Sequence, residues 1–98
     1  MAAYLLAEAT VSDPLAYESY QTLAQAAIAQ YGGRYCAHSG RVEVLEGGWT
    51  KPERLVIVEF DSLEQAKRFY DSSEYQAARA ARRDAAEMNM LIVEGLPL

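Results

Sequence analysis

Two strand–helix–strand units follow one another in this chain, and this order constrains the fold more than any other feature. The second unit is the clearer one, because an apolar strand over residues 55–60 runs directly into a capped amphipathic helix over residues 61–70. Residues 1–10 followed by residues 13–31 repeat the same plan. A βαββαβ order predicts an α+β fold, with a four-stranded antiparallel sheet and the helices on one face.

The size and charge of the chain limit the classes of protein to which it can belong. Its 98 residues predict one domain, spanning residues 1–98, with a single small core. The formal net charge of -5 argues against a nucleic-acid partner, since such domains carry a basic surface. No stretch approaches the roughly 18 apolar residues of a membrane helix, and the first residues lack the basic region of a secretory signal. We therefore expect a cytoplasmic protein with no membrane partner.

The counts of cysteine and histidine restrict the possible chemistry. Cys36 is the only cysteine and His38 the only histidine, so one chain cannot build a disulfide or a multi-histidine metal site. Cys36 is expected to be an inert packed thiol in an apolar strand. The chain has no phosphate loop, GxGxxG, HExxH or nucleophile-elbow motif. No metal and no cofactor are predicted.

Capping signals and hydrophobic periodicity predict the individual elements. Asp13-Pro14 begins the first helix, Gly32-Gly33 ends it, and Ser62-x-x-Gln65 begins the second. Another box, Ser73-x-x-Gln76, restarts a helix that continues to about residue 86. The predicted strands are Ala3–Val11, Arg34–His38, Arg54–Phe60 and residues 88–94, with a short strand or ribbon over residues 41–45.

Residues with family-like spacing are spread along nearly the whole chain. They are Asp13-Pro14, Ala16-Tyr17, Tyr20, Tyr31-Gly32-Gly33-Arg34, Gly40, Val44-Leu45-Glu46-Gly47, Trp49, Arg54, Val58-Glu59-Phe60, Ser62, Ala66, Tyr70, Ser73, Tyr75-Gln76, Arg79 and Val93-Glu94-Gly95. In this pattern the chain resembles the DUF1330 family of the dimeric α/β-barrel superfamily. One departure is local: His38-Ser39 stands before Gly40 where the family pattern has a pair such as Arg-Gly.

The resemblance implies a ferredoxin-like subunit whose open sheet face packs on a second copy, so that two sheets form a barrel. Relatives in the superfamily include cofactor-free monooxygenases, isomerases and haem-handling proteins, but the family itself implies no established reaction. An uncovered apolar sheet face would also be a larger patch than soluble monomers usually expose. We therefore expect a homodimer, with Leu6 and Met90 on the face that meets the partner.

His38 is a candidate for proton transfer, because imidazole is the side chain that changes protonation near neutral pH. Strand alternation places it on one face with Arg34 and Cys36, opposite Tyr35. The alternative is an ordinary polar residue at a strand bend.

Glu8 and Glu59 are carboxylates inside otherwise apolar strands. Because the first and third strands are neighbours in the predicted sheet, these two could approach each other and serve as a general acid and base. The alternative is a structural ion pair with Arg34, Arg54 or Arg79.

Aromatic residues and late arginines supply the other candidates. Tyr17 and Tyr20 lie on a helical stripe, where they either fill the core or line a ligand cleft. Trp49, in a glycine-flanked loop, is expected to be a lid or a dimer contact. The arginines at 79, 82 and 83 form either a solvated helix face or an anion-binding patch.

Two functional classes remain open on this basis. One is a small-molecule cleft between sheet and helices, for binding or for cofactor-independent catalysis of a monooxygenase or isomerase type. The other is a non-catalytic dimeric module whose cleft is filled by its own side chains. The candidate catalytic residues are Glu59 and His38, and the candidate ligand-binding residues are Arg34, Tyr17, Tyr20, Glu8, Trp49 and Arg79.

Overall fold

Four antiparallel strands form one sheet, and three helices cover one of its faces, in a computed structural model that describes residues 1–97. From one edge of the sheet to the other the strands are Arg34–His38, Arg54–Phe60, Ala3–Val11 and Ala86–Glu94, which confirms the predicted α+β, ferredoxin-like topology. Among the described residues, no helix is long and apolar enough to cross a membrane. The elements are β1 (Ala3–Val11), α1 (Pro14–Gln30), β2 (Arg34–His38), β3 (Arg54–Phe60), α2 (Leu63–Asp71), α3 (Ser73–Ala81) and β4 (Ala86–Glu94).

Helix α1 begins and ends at the predicted residues. The Asp13 side chain accepts a hydrogen bond from the Ala16 amide at 3.3 Å, and Pro14 occupies the first helical position. After the helix, Gly32 adopts a φ of 77°, which glycine tolerates without strain. At Gly33 a Cβ atom would lie 2.9 Å from the Phe60 ring. A side chain there would therefore separate the end of α1 from the sheet.

A single serine connects α2 to α3. Ser72 Oγ accepts a hydrogen bond from the Tyr75 amide at 3.1 Å and donates one to the Phe69 carbonyl at 2.6 Å. The sequence predicted Ser73 as the residue that restarts the helix, and this was wrong by one position. Ser72 is buried and Ser73 is exposed. The residue that caps α3 is therefore Ser72, whose hydroxyl contacts the end of α2 and the beginning of α3.

Two predicted boundaries differ from the structure because strand pairing overrides local propensity. Helix α3 stops at Ala81 rather than near residue 86, and β4 begins at Ala86 rather than at residue 88. The Ala85 carbonyl accepts hydrogen bonds from the Ser12 and Asp13 amides at 2.8 and 3.1 Å. The chain must therefore leave α3 early enough to place Ala86 opposite Val11 in the sheet.

The predicted strand or ribbon over residues 41–45 is absent. At the end of β2, His38 pairs with Val56, near the beginning of β3, so little of β3 is left to pair with later residues. Ser39 donates its amide to the Leu55 carbonyl at 2.8 Å and then turns the chain away with a φ of 59°. Residues 39–53 consequently form an irregular loop, in which Leu45 is 92% exposed.

The inner face of the sheet packs on the helices and forms the core. Strand residues that alternate along β1 and β3, including Leu5, Ala7, Val58 and Phe60, are almost completely buried. The apolar stripe predicted for α1 packs against them, together with Phe69 of α2 and Tyr75 of α3. The core is thus built from one sheet face and one side of each helix.

The outer face of the sheet carries an apolar patch and is left open by residues 1–97. Leu6 lies on it, opposite Ile57 on one side and Leu91 on the other. Leu91 and Val93 are 57% and 50% exposed. The placement of Met90 on this face was wrong: Met90 pairs with buried Ala7 and packs against the core. One residue of difference along β4 moves a side chain to the other face.

Candidate ligand-binding cleft

A small cavity lies between the inner face of the sheet and helices α1 and α3. Its volume is about 40 Å³, which is room for a few water molecules. Most of the lining is apolar, and the polar atoms come mainly from tyrosine hydroxyls and one imidazole. The lining includes Tyr17 and Tyr20 of α1, Tyr35 and His38 of β2, Tyr75 of α3 and Met90 of β4.

A bulge in β2 brings Tyr35 and His38 to the same side of the sheet. Tyr35 pairs with Val58 and His38 with Val56, so three steps along β2 match only two steps along β3. The two rings stack with their centroids 4.6 Å apart and their planes 9° from parallel. The prediction that His38 lies opposite Tyr35 was therefore wrong, because the extra residue of a bulge interrupts the alternation of side chains along a strand.

The same strand exposes the cysteine. Cys36 lies at the bulge and is exposed, which contradicts the expectation of a packed thiol. β2 is an edge strand of a sheet whose outer face is open, so residues 1–97 leave the Cys36 side chain exposed.

The tyrosines of the cleft form a short hydrogen-bonded chain. The Tyr20 and Tyr75 hydroxyls are 2.8 Å apart, and the Tyr75 hydroxyl donates to the Met90 sulfur at 3.4 Å. Burial raises the pKa of Tyr17, Tyr20 and Tyr75 above the usual value, so all three hydroxyls are neutral at physiological pH. The cleft therefore presents hydroxyl groups that can donate or accept a hydrogen bond.

Two arginines lie against the tyrosine rings of α1. The Arg54 guanidinium lies 5.0 Å from the ring centroid of Tyr17, and that of Arg82 lies 5.2 Å from the ring centroid of Tyr20. Such contacts are attractive because the ring face is electron-rich. The Nε atom of Arg82 is buried and has no hydrogen-bond partner within residues 1–97.

Glu59 lies on the outer face of the sheet, away from this cleft. Its carboxylate accepts hydrogen bonds from the Tyr4 hydroxyl at 3.0 Å and from Arg34 Nη2 at 3.0 Å. Arg34 also contacts Asp61 at 2.9 Å. The hydrogen bond to Glu59 and its negative charge raise the pKa of Tyr4. Of the two alternatives drawn from the sequence, the structure shows the ion pair with Arg34.

Glu8 does not pair with Glu59. In the ladder between β1 and β3, Glu59 is opposite Tyr4 and Glu8 is opposite Leu55. Four strand residues therefore separate the two carboxylates, about 13 Å at ~3.3 Å per residue. Glu8 instead accepts a hydrogen bond from Asn89 at 3.0 Å.

The remaining candidates lie outside the cleft. Trp49 is 72% exposed and contributes, with Leu55 and Leu91, to a depression of about 270 Å³ on the outer face. The Arg79 guanidinium lies 5.1 Å from the ring centroid of Tyr70 and does not line the cavity. The candidates are thus divided between two faces: Tyr17, Tyr20 and His38 line the cleft, and Glu8, Arg34, Trp49 and Glu59 belong to the outer face.

Tyr35 lines the cleft although no sequence pattern indicated it, and Arg54 and Arg82 lie against the tyrosine rings of α1. The bulge that turns Tyr35 inward has no signal in the sequence. Arg54 was considered only as an ion-pair partner, although alternation with Val56 and Val58 along β3 indicates its inner-face position. The sequence showed Arg82 only as one of three clustered arginines. In the structure its contact with the Tyr20 ring and its buried Nε atom distinguish it from the other two.

All of the elements that form the cleft lie within a segment that one family model matches. A family model described as a domain of unknown function, DUF1330, matches residues 2–96. The chain belongs to the DUF1330 family. The resemblance drawn from the sequence is confirmed, and no curated protein matches the chain.

Solved structures with the same fold cover nearly the whole of this DUF1330 chain. A protein of unknown function, RPA0582 from Rhodopseudomonas palustris, is 17% identical, with a TM-score of 0.73 over 99% of this chain and 84% of its own. SnoaB from Streptomyces nogalater, a cofactor-independent oxygenase, is 14% identical, with a TM-score of 0.68 over 99% and 95%. A dimeric ferredoxin-like protein of unknown function from Bacteroides fragilis is 16% identical, with a TM-score of 0.64 over 96% of both chains. At these identities the similarity establishes the fold.

Proposed function

We propose that this protein is a homodimer that binds a small aromatic molecule in the cleft between its sheet and helices. The observation that carries the proposal is a cleft lined with aromatic rings in which polar groups lack internal partners. Within residues 1–97, the His38 ring and the Tyr17 hydroxyl, which both line the cavity, make no hydrogen bond to the protein. Unpartnered polar groups at an apolar cavity are typical of ligand sites.

The cavity has to widen when a ligand enters, since about 40 Å³ is far less than the roughly 300 Å³ of a typical ligand pocket. The stacked pair Tyr35 and His38 forms the movable wall. Both residues are exposed, and β2 is an edge strand followed by an irregular loop. Rotation of these two side chains opens the cleft without disturbing the buried tyrosines.

Cofactor-independent catalysis is the activity that we propose for this cleft. SnoaB, with the same fold, is described as a cofactor-independent oxygenase. In this protein His38 is the residue placed to exchange a proton with a bound molecule, and the neutral tyrosine hydroxyls orient it. Glu59 is not included, because it lies on the other face of the sheet.

A non-catalytic dimeric module is the second candidate, and one observation favours it. The Tyr20 and Tyr75 hydroxyls satisfy each other, and the cavity between them and the sheet is small. In that case the tyrosines are simply core residues, and the dimer presents its surface to another protein.

The homodimer is supported by the open apolar face around Leu6 and Leu91 and by a relative described as dimeric. The position of Trp49 beside that face suits the predicted dimer contact. A cytoplasmic location agrees with the exposed thiol of Cys36, since free exposed thiols persist in reducing compartments.

Native mass spectrometry of protein purified gently from its expression host tests the proposal. We expect a dimer that carries a reproducible small additional mass, and we expect His38→Ala to reduce the occupied fraction. A bare dimer would favour the non-catalytic module. A bare monomer would contradict the homodimer, and unchanged occupancy in His38→Ala would remove His38 from the site.

A further inference from the structure

The lining of the cleft contains no lysine, arginine, aspartate or glutamate among residues 1–97. Its polar side chains are those of four tyrosines, Gln21 and His38, and the other side chains are apolar. A charged ligand that enters such surroundings loses its hydration and gains no ion pair in return, which is costly. The cleft therefore suits an uncharged ligand.

One buried hydroxyl in the cleft, that of Tyr17, has no partner within residues 1–97. The Tyr20 hydroxyl donates to that of Tyr75, which donates to the Met90 sulfur, so the protons of these two hydroxyls are already used. Tyr17 is only 3% exposed and lines the cavity, yet its hydroxyl bonds to no protein group. Because buried polar groups are nearly always paired, this hydroxyl is the group to which a ligand is expected to bond.

The Tyr17 ring is held in place by groups that leave its hydroxyl free. The Arg54 guanidinium, which is not part of the lining, lies 5.0 Å from the centroid of the ring. The Tyr20 ring packs beside it at 5.3 Å between centroids. Burial raises the pKa of Tyr17, and the positive charge of Arg54 partly opposes that effect. The hydroxyl is thus neutral and positioned to donate its proton to an acceptor in the cleft.

His38 offers the complementary acceptor. A neutral imidazole has one nitrogen that donates and one that accepts, and the His38 ring stacks on Tyr35 without a hydrogen bond. A ligand hydroxyl can accept from Tyr17 and donate to His38 at the same time, whereas an ether or carbonyl oxygen can only accept. The pair of unpartnered groups therefore favours a ligand with a hydroxyl.

Resting on the proposed function, we infer that the ligand of this cleft is an uncharged phenol, whose hydroxyl accepts a hydrogen bond from Tyr17 and donates one to His38. The aromatic and apolar side chains of the lining supply the surface for its ring. This assigns a ligand class to the cleft and makes the Tyr17 hydroxyl its anchor.

Phenol, toluene and benzoate are the probes. Phenol and toluene have nearly the same shape and differ by the hydroxyl, and benzoate carries a charge. Each is titrated into ¹⁵N-labelled full-length protein at about pH 8, where a phenol is still un-ionised. We expect phenol to shift the amides of Tyr35 and His38, and benzoate to bind at least about tenfold more weakly than phenol.

The ratio of phenol affinity to toluene affinity isolates the role of the hydroxyl. Tyr17→Phe should lower this ratio at least about threefold, the effect of one hydrogen bond. His38→Phe should lower it similarly, since it keeps a ring beside Tyr35 and removes the imidazole nitrogens. Tyr70→Phe is the matched control, because the Tyr70 hydroxyl also lacks a partner among the described residues but lies outside the cavity lining, and the ratio should not change. Thermal unfolding establishes that each variant is folded, and His38→Phe carries the test if Tyr17→Phe is not.

The possible failures are distinguishable. An unchanged ratio in the folded variants, with phenol and toluene both bound at the cleft, would overturn the phenol inference and retain the cleft as an aromatic site. Benzoate binding as tight as that of phenol would overturn the requirement for an uncharged ligand. An equal fall of the ratio in Tyr70→Phe would mean an indirect effect, which also overturns the inference. No shift by any of the three compounds would overturn both the inference and the cleft.

Discussion

At the scale of single residues, the buried pair Tyr20 and Tyr75 shows that the donor and the acceptor of one hydrogen bond contribute differently to stability. The Tyr75 hydroxyl donates to the Met90 sulfur, so the Tyr20 hydroxyl must donate to the Tyr75 oxygen. Removing the Tyr75 hydroxyl leaves a buried donor on Tyr20 without an acceptor. Removing the Tyr20 hydroxyl leaves Tyr75 with its bond to Met90. The two deletions are therefore not equivalent.

We expect Tyr75→Phe to lower the free energy of unfolding by about 1–3 kcal/mol, and Tyr20→Phe to lower it by less, about 0.5–1 kcal/mol. Urea denaturation measures both. Tyr70→Phe is the control and should be nearly neutral, since the Tyr70 hydroxyl makes no hydrogen bond among the described residues. A larger loss in Tyr20→Phe than in Tyr75→Phe would mean that the direction of the hydrogen bond is reversed.

At the scale of the elements, one contact between a tyrosine and a glutamate connects the end of α1 to the beginning of α3. The Tyr31 hydroxyl donates to Glu74 Oε1 at 2.7 Å. This hydrogen bond, followed by one from the Glu74 backbone and one from Ser73, lowers the pKa of Glu74 from its ordinary value of 4.5. The folded state therefore favours the ionised carboxylate.

The stability of the fold depends on pH because the pKa of Glu74 differs between the folded and the unfolded state. A carboxylate with a lowered pKa in the folded state stabilises the fold above its unfolded pKa and loses that contribution as the pH falls through the folded value. We expect the free energy of unfolding to fall, as the pH drops below the ordinary glutamate pKa of 4.5, more steeply in the unaltered protein than in Tyr31→Phe or Glu74→Gln. Urea titrations at several pH values measure it, and identical slopes in all three proteins would contradict the role of this contact.

At the scale of the whole molecule, the chain is flat and leaves one face of its sheet open. The subunit measures 39 × 38 × 17 Å, since it has one layer of helices and one sheet whose second face is open. Leu91 and Val93 leave apolar surface in contact with solvent. Covering this face with a second copy would bury that surface, and the gain is about 25 cal/mol for each Å² removed from water.

We expect Leu91→Glu to raise the dimer dissociation constant at least about tenfold, because the new charge would be buried against the partner. Size-exclusion chromatography with light scattering measures the mass at several concentrations. Leu15→Glu is the matched control, since Leu15 is 78% exposed on α1, and it should leave the dimer intact. A dimer as tight as that of the unaltered protein in Leu91→Glu would exclude this sheet face as the interface.

Met90→Glu should behave differently from Leu91→Glu, although the two positions are adjacent. Met90 packs against the core and accepts the Tyr75 hydrogen bond, so a charge there should unfold the subunit. The sequence alone assigned Met90 to the partner-facing side. Register between β1 and β4 decides the face, and register depends on residues more than 80 positions apart in the chain.

The sequence by itself determined the strands Ala3–Val11, Arg34–His38 and Arg54–Phe60, the extent of α1 and the family, because alternation, helical periodicity and caps act between residues a few positions apart. Only the tertiary structure decided which candidate residues line the cleft and which lie on the outer face of the sheet. The bulge at Cys36 turned His38 and Tyr35 toward the helices, and the ladder placed Glu59 beside Arg34 on the outer face. The cleft is lined by residues from every strand and every helix, and no local sequence pattern predicts such a combination. Contacts between distant segments depend on register and packing, which only the assembled fold supplies.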